Sequence, residues 1–160
     1  MLALRRQGCY AAYVLAAGEE TVAYAMVAGD AQGRLLDYLA VVLDQRNRGL
    51  GSYMLGALAR REEGMLLTEV EDPGEVEGTP RELRLRRIRF YEKNRFQDTG
   101  LRVRVYGVAY RILVRDAQGS PRETLECIYR RLFTPSIYRS QVQFLRCGHR
   151  EEPVSYGAGP

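Results

Sequence analysis

Residues 35–52, LLDYLAVVLDQRNRGLGS, constrain this chain more than any other stretch. The leading part, 35–43, is apolar almost throughout, the pattern of a central strand covered on both faces. A polar loop with two glycines follows. Apolar residues then recur at three- and four-residue spacing through Leu50, Met54 and Leu58, with Tyr53 and Ala57 beside them, so the spacing predicts a helix over 49–63. A strand that turns directly into a helix leaves the first N–H groups of that helix without partners, pointing out together at the positive end of its dipole. Such a turn is an anion site. Gly49 and Gly51 let backbone approach a phosphate with no Cβ in the way, and Arg46 and Arg48 add positive charge.

Two common phosphate loops are excluded. Gly51-Ser52 lacks the lysine of a P-loop, and position 54, where a dinucleotide-binding loop needs its third glycine, is Met54. A triphosphate held as in ATP-binding loops and NAD are therefore not the ligands read here. The net charge of +4 fits a phosphorylated cofactor or nucleic acid, although it is carried almost wholly by arginine, with Lys93 the sole lysine, and a compositional preference accounts for it equally well.

The remaining segments build a fold around that turn. Residues 10–17 and 21–28 are β-forming runs separated by a Gly-Glu-Glu turn, and predict an antiparallel hairpin. Residues 65–70 predict a further strand, and 71–78 an acidic loop. Thr79, Pro80 and Glu82 read as a capping box that starts a helix running to about Asn94. Residues 102–115 read as strand, 121–133 as helix, 138–145 as a last strand and 151–160 as a loose tail. The order β-β-β-α-β-α-β-α-β predicts an α/β (α+β) fold, a mixed and mostly antiparallel sheet flanked by helices, in one domain over 1–150. No apolar run reaches the ~20 residues of a membrane span and no leader peptide is visible, so a cytoplasmic protein with no membrane partner is expected. Cys9, Cys127 and Cys147 are odd in number and widely spaced, and with His149 they give neither a disulfide framework nor a metal site.

Two motifs in the right order now carry a resemblance. Arg46-Asn47-Arg48-Gly49-Leu50-Gly51 resembles the R/Q-x-x-G-x-G/A signature of the GNAT acetyltransferases, and the run from Arg87 through Phe90-Tyr91 to Phe96 resembles the family's helix ending F-Y-x-x-x-G-F. The likeness covers 10–96 well and the rest loosely. It implies an N-acetyltransferase that moves an acetyl group from acetyl-CoA to a primary amine of a small molecule or peptide. It implies that the central strand splays from its neighbour, that backbone near Val41, Val42 and Leu43 pairs with the pantetheine arm, and that the loop and first turn, Arg46, Arg48, Gly49, Leu50, Gly51 and Ser52, hold the pyrophosphate.

The resemblance also gives roles. Tyr91 matches the family's general acid and would border the cofactor; a tyrosine packed on the sheet is the alternative. Asp37, a carboxylate in an apolar strand, would accept the amine proton, or else partner an arginine. Glu69 and Glu71, alternating on the next strand, are the second choice of base. The arginines at 81, 84, 86, 87 and 89 read as a solvated helix face, or as a contact for the 3′-phosphate or nucleic acid.

The pattern departs from the family at two places. Arg95 stands where the family has glycine, and the hairpin begins near Tyr10, where the family first has a strand and two helices. In the family these helices form much of the amine pocket, so the expectation is either a shortened version with an open acceptor side and weak activity, or a wall supplied by another subunit or by the C-terminal part. The hairpin's outer strand is expected to be an unpaired edge open to homodimerisation. The other readings are a non-catalytic acyl-CoA-binding module and, with no base-stacking motif in its favour, a nucleic-acid-binding protein.

Overall fold

The structure, a computed structural model, describes residues 2–7, 10–61 and 64–145. Apolar alternation at 13, 15, 23, 25 and 27 builds the first hairpin of the sheet, β2 (Tyr10–Ala17) and β3 (Glu20–Asp30), which pair antiparallel. A strand not foreseen from the sequence, β1 (Leu2–Gln7), pairs antiparallel with β2. The hairpin's first strand is therefore not the edge, which corrects that expectation.

The central strand β4 (Gly33–Val41) follows β3 and pairs with it antiparallel. It stops two residues before the apolar run does, because residues Leu43–Gln45 close a 3-10 turn. The helix α1 (Leu50–Arg61) and strand β5 (Leu66–Glu71) complete a β-α-β crossover, and β5 lies parallel to β4, the one parallel pair in an eight-stranded sheet of order β1-β2-β3-β4-β5-β7-β6-β8.

The helix α2 (Gly78–Lys93) starts without the capping box. Gly78, at φ +63, turns the chain in one residue earlier, and the N-cap Glu77 makes no side-chain cap bond. The apparent long strand at 102–115 is a hairpin, β6 (Gln97–Val105) and β7 (Val108–Arg115), folded at Tyr106-Gly107. Both turn residues have positive φ, 48 and 82, the two-residue geometry that matches the twist of paired strands. After α3 (Pro121–Leu132), capped by Ser120, the chain makes a short helix α4 (Pro135–Gln141) where strand was read, and only β8 (Val142–Leu145) joins the sheet, on β6. Pro135 at the first turn and the Thr134 cap decide for helix there.

The sheet separates two cores. On one face Met54, Leu55 and Leu58 of α1 and Ile88 and Tyr91 of α2 pack on Ala23, Ala25 and Leu36, the alanines admitting the helices closely. On the other, Leu125, Ile128 and Tyr129 of α3 pack on Leu35, Leu67 and Ile112. The tail 151–160, with Cys9, Cys147 and His149, lies outside the described residues. Cys127 is an exposed free thiol. Among the described residues no cluster suits a metal ion, and no helix is long and apolar enough to cross a membrane.

Candidate active site

β4 and β5 are partners only from Arg34 and Leu66 to Leu36 and Thr68. Beyond that point each strand follows its other neighbour, β4 with β3 to Val41 and β5 with β7 to Glu71, so the middle of the sheet opens as a fork. Thr68, fully buried, pins its base: Oγ1 donates to the Leu36 carbonyl at 3.1 Å. A cavity of about 740 Å3 occupies the fork, running from the start of α1 past Phe90, Tyr91 and Lys93 of α2 to Asp37 and Glu69.

At its outer end the first intrahelical bond of α1 runs from the Tyr53 N–H to the Gly49 carbonyl, so the amides of Leu50, Gly51 and Ser52 have no acceptor within the helix. Gly49 sits at φ +76 with open space where a Cβ would be. Gly51 has a different constraint, since a Cβ there would meet the Phe90 ring at 3.1 Å, so it sets how closely α1 approaches α2. Arg46, Arg87 and Lys93 line the same cavity and give it a positive rim around bare amides, which fits a phosphorylated ligand.

At the inner end are a phenol and two carboxylates. Burial pushes the Tyr91 phenol above its ordinary value, while the Thr68 hydroxyl beside it and the Arg87 charge pull the other way. Glu69 is raised to about 7, chiefly because it is desolvated, and also because Asp37 is near; the Tyr129 hydroxyl, which donates to its carboxylate, offsets part of the rise. Tyr129 itself is raised, by burial and by the carboxylate it touches. Asp37 owes its position to a bulge. Met26 pairs with Tyr38 and Val27 with Leu36, so Asp37 has no partner on β3, and its Oδ2 accepts from the Tyr10 hydroxyl at 2.9 Å.

No protein-family model and no curated protein sequence matches the chain. Solved structures do. A protein from Bacteroides thetaiotaomicron described as a GNAT-family acetyltransferase is similar at 20% identity and TM-score 0.61, over 82% of this chain and 75% of that one. A GNAT-family acetyltransferase from Elizabethkingia anophelis with acetyl-CoA bound is similar at 14% identity and TM-score 0.54, over 68% and 77%. The ribosomal-protein-S18-alanine N-acetyltransferase from Escherichia coli is similar at 19% identity and TM-score 0.51, over 72% and 75%. This chain has the GNAT fold.

Within that GNAT framework the residues singled out from the sequence separate. Val41, Arg46, Gly49, Leu50, Gly51 and Ser52 line the fork cavity, and so do Asp37, Glu69 and Tyr91. Val42 and Leu43 do not line it; the Val42 amide is tied to the Val22 carbonyl at 3.0 Å, and the Leu43 side chain is 75% exposed. Arg48 donates to Gln45 Oε1 at 3.0 Å, and Arg46 Nε to the Val41 carbonyl at 3.2 Å. Glu71 stands apart, paired with Arg84 at 2.7 Å. Of the arginine run, Arg84 pairs with Glu71, while Arg87 lies 3.9 Å from Glu71 and also lines the cavity. Thr68, Tyr10 and Tyr129 were not anticipated, and no local sequence signal marks them, since each meets its partner across more than 25 residues of chain.

Proposed function

We propose that this protein is an acetyl-CoA-dependent N-acyltransferase acting on a primary amine. The observation that carries the reading is the fork itself, one cavity with unpartnered amides and cations at one end and Glu69, Asp37 and Tyr91 at the other. Acetyl-CoA would supply an activated acyl thioester. The amides of Leu50, Gly51 and Ser52, with Arg46, would hold its pyrophosphate, and the exposed edge of β4 near Val41 its pantetheine arm. Arg46 would leave the Val41 carbonyl to do so.

Glu69 would take a proton from the bound ammonium and so free the neutral amine that attacks the thioester carbonyl, a task for which a carboxyl raised to about 7 is better matched than an ordinary one. Asp37, which lines the same cavity, would offer the incoming amine a second carboxyl oxygen partner. Tyr91 would give its hydroxyl proton to the departing sulfur as the C–S bond breaks, and its oxygen would recover the second N–H proton that the nitrogen loses as the amide forms. At ordinary values the transfer to sulfur is uphill by about 2 kcal/mol. Burial of Tyr91 widens the gap, so proton donation accompanies bond cleavage rather than preceding it.

The test is release of free coenzyme A thiol in the presence of primary amines, beside calorimetric titration with acetyl-CoA. Thiol release that depends on an amine supports the reading. Binding without release from any amine would indicate a non-catalytic acyl-CoA-binding module, and no binding would end both readings.

A further inference from the structure

A second cavity, of about 360 Å3, lies against the fork. It shares Asp37 and Glu69 with the first and is walled beyond them by α3 and the β6–β7 hairpin. Its size is at the small end of ligand pockets. Its chemistry is lopsided. Four tyrosines, at 10, 106, 110 and 129, and Phe133 supply aromatic surface, and the other described walls are aliphatic, including Leu35 and Leu132. The two shared carboxylates are the only charged side chains among its described lining residues, with no lysine or arginine.

We propose that this chamber is the acceptor site, and that it takes a small primary monoamine with an aromatic or apolar body and no acidic group. The proposal rests on the acyltransfer reading above. A cation entering a chamber lined by aromatic rings gains from ring faces as well as from carboxylates, and Asp37 and Glu69 lie where the chamber meets the fork, which points the nitrogen toward the thioester. The body of the amine then lies against Phe133, Leu132 and the tyrosines. An acceptor that carries its own carboxylate or phosphate would set a further acidic group beside the two carboxylates, with no basic group among the described lining residues to receive it. A polyamine would leave its further ammonium groups without carboxylate partners, since the described lining residues hold no second acidic pair.

A matched pair isolates the point: 2-phenylethylamine and phenylalanine differ only by the α-carboxylate. The expected result is a kcat/KM for 2-phenylethylamine at least a hundredfold above that for phenylalanine, and at least tenfold above that for spermidine or a short peptide. Phe133→Ala is expected to raise the KM for 2-phenylethylamine several-fold with little change in kcat, and to leave the affinity for acetyl-CoA unaltered. Calorimetric binding of 2-phenylethylamine to the protein is measured alongside. Equal or better turnover of phenylalanine, spermidine or the peptide overturns the proposal while leaving the acyltransfer reading intact. No thiol release from any amine, with 2-phenylethylamine still bound and its affinity weakened by Phe133→Ala, would remove the acyltransfer reading and keep the chamber as an amine site. No binding of 2-phenylethylamine and no turnover of it removes the proposal.

Discussion

Glu69 is the residue on which most depends, because its carboxyl is held at about 7 rather than 4.5. As a base it works ionised, so kcat/KM is expected to rise with pH through about 7, and Glu69→Gln to lose that limb together with about 10²–10³ of the rate. The same shift costs stability. Below 4.5 the group is protonated folded or unfolded and costs nothing; between 4.5 and about 7 only the unfolded chain has released its proton, so stability falls as pH rises; above about 7 the full cost remains. Glu69→Gln is therefore expected to raise the melting temperature by several degrees at about pH 8, on the order of 3 kcal/mol, and to have little effect near pH 4.5, as calorimetry would show. Tyr91 behaves oppositely. A phenol pushed up by burial stays protonated across this range, so no descending limb from Tyr91 is expected below about pH 10. Tyr91→Phe is expected to lower kcat while leaving acetyl-CoA affinity nearly unchanged, since only the transition state loses a proton donor. Equal loss in both would assign Tyr91 to packing, for which its edge contacts with Phe90 and Phe96 qualify it.

Among the elements, the start of α1 and the end of α2 give the clearest cases. Gly49→Val is strained at φ +76 and obstructs bare amides, and Gly51→Val collides with Phe90, so each is expected to weaken acetyl-CoA binding by an order of magnitude or more in a folded protein. At the end of α2, Arg95 does adopt the left-handed conformation that glycine favours, at φ 69. The Phe96 and Arg95 amides close back on the Tyr91 and Glu92 carbonyls at 3.1 and 3.0 Å, and Phe96 packs on Tyr91. Arg95→Gly is expected to stabilise the protein by about 0.5–1 kcal/mol, read as a higher denaturation midpoint.

These two ends were legible in the sequence because local chemistry decides them: two glycines before a helical period, and an aromatic pair before a stop. The bulge that places Asp37 was not, since it is a register event between β3 and β4. The Tyr106-Gly107 turn was hidden inside a continuous β-forming run, and α4 was hidden because Tyr138 suits strand as well as helix. Thr79 misled because a left-handed glycine, not a side chain, turns the chain into α2.

At the scale of the molecule, α3 supplies what the sequence left unassigned. Tyr129, Leu132 and Phe133 wall the second cavity from within the same chain, so that wall does not depend on a second subunit. The two cavities meet only at the carboxylates of the fork, one bordered by α1 and α2 and the other by α3. On the proposed assignment of donor and acceptor to two cavities that share only these carboxylates, neither reactant has to depart before the other arrives. Initial velocities plotted as double reciprocals at several fixed amine concentrations are therefore expected to intersect, the signature of a ternary complex. Parallel lines would mean that the acyl group is parked on the protein between two half-reactions.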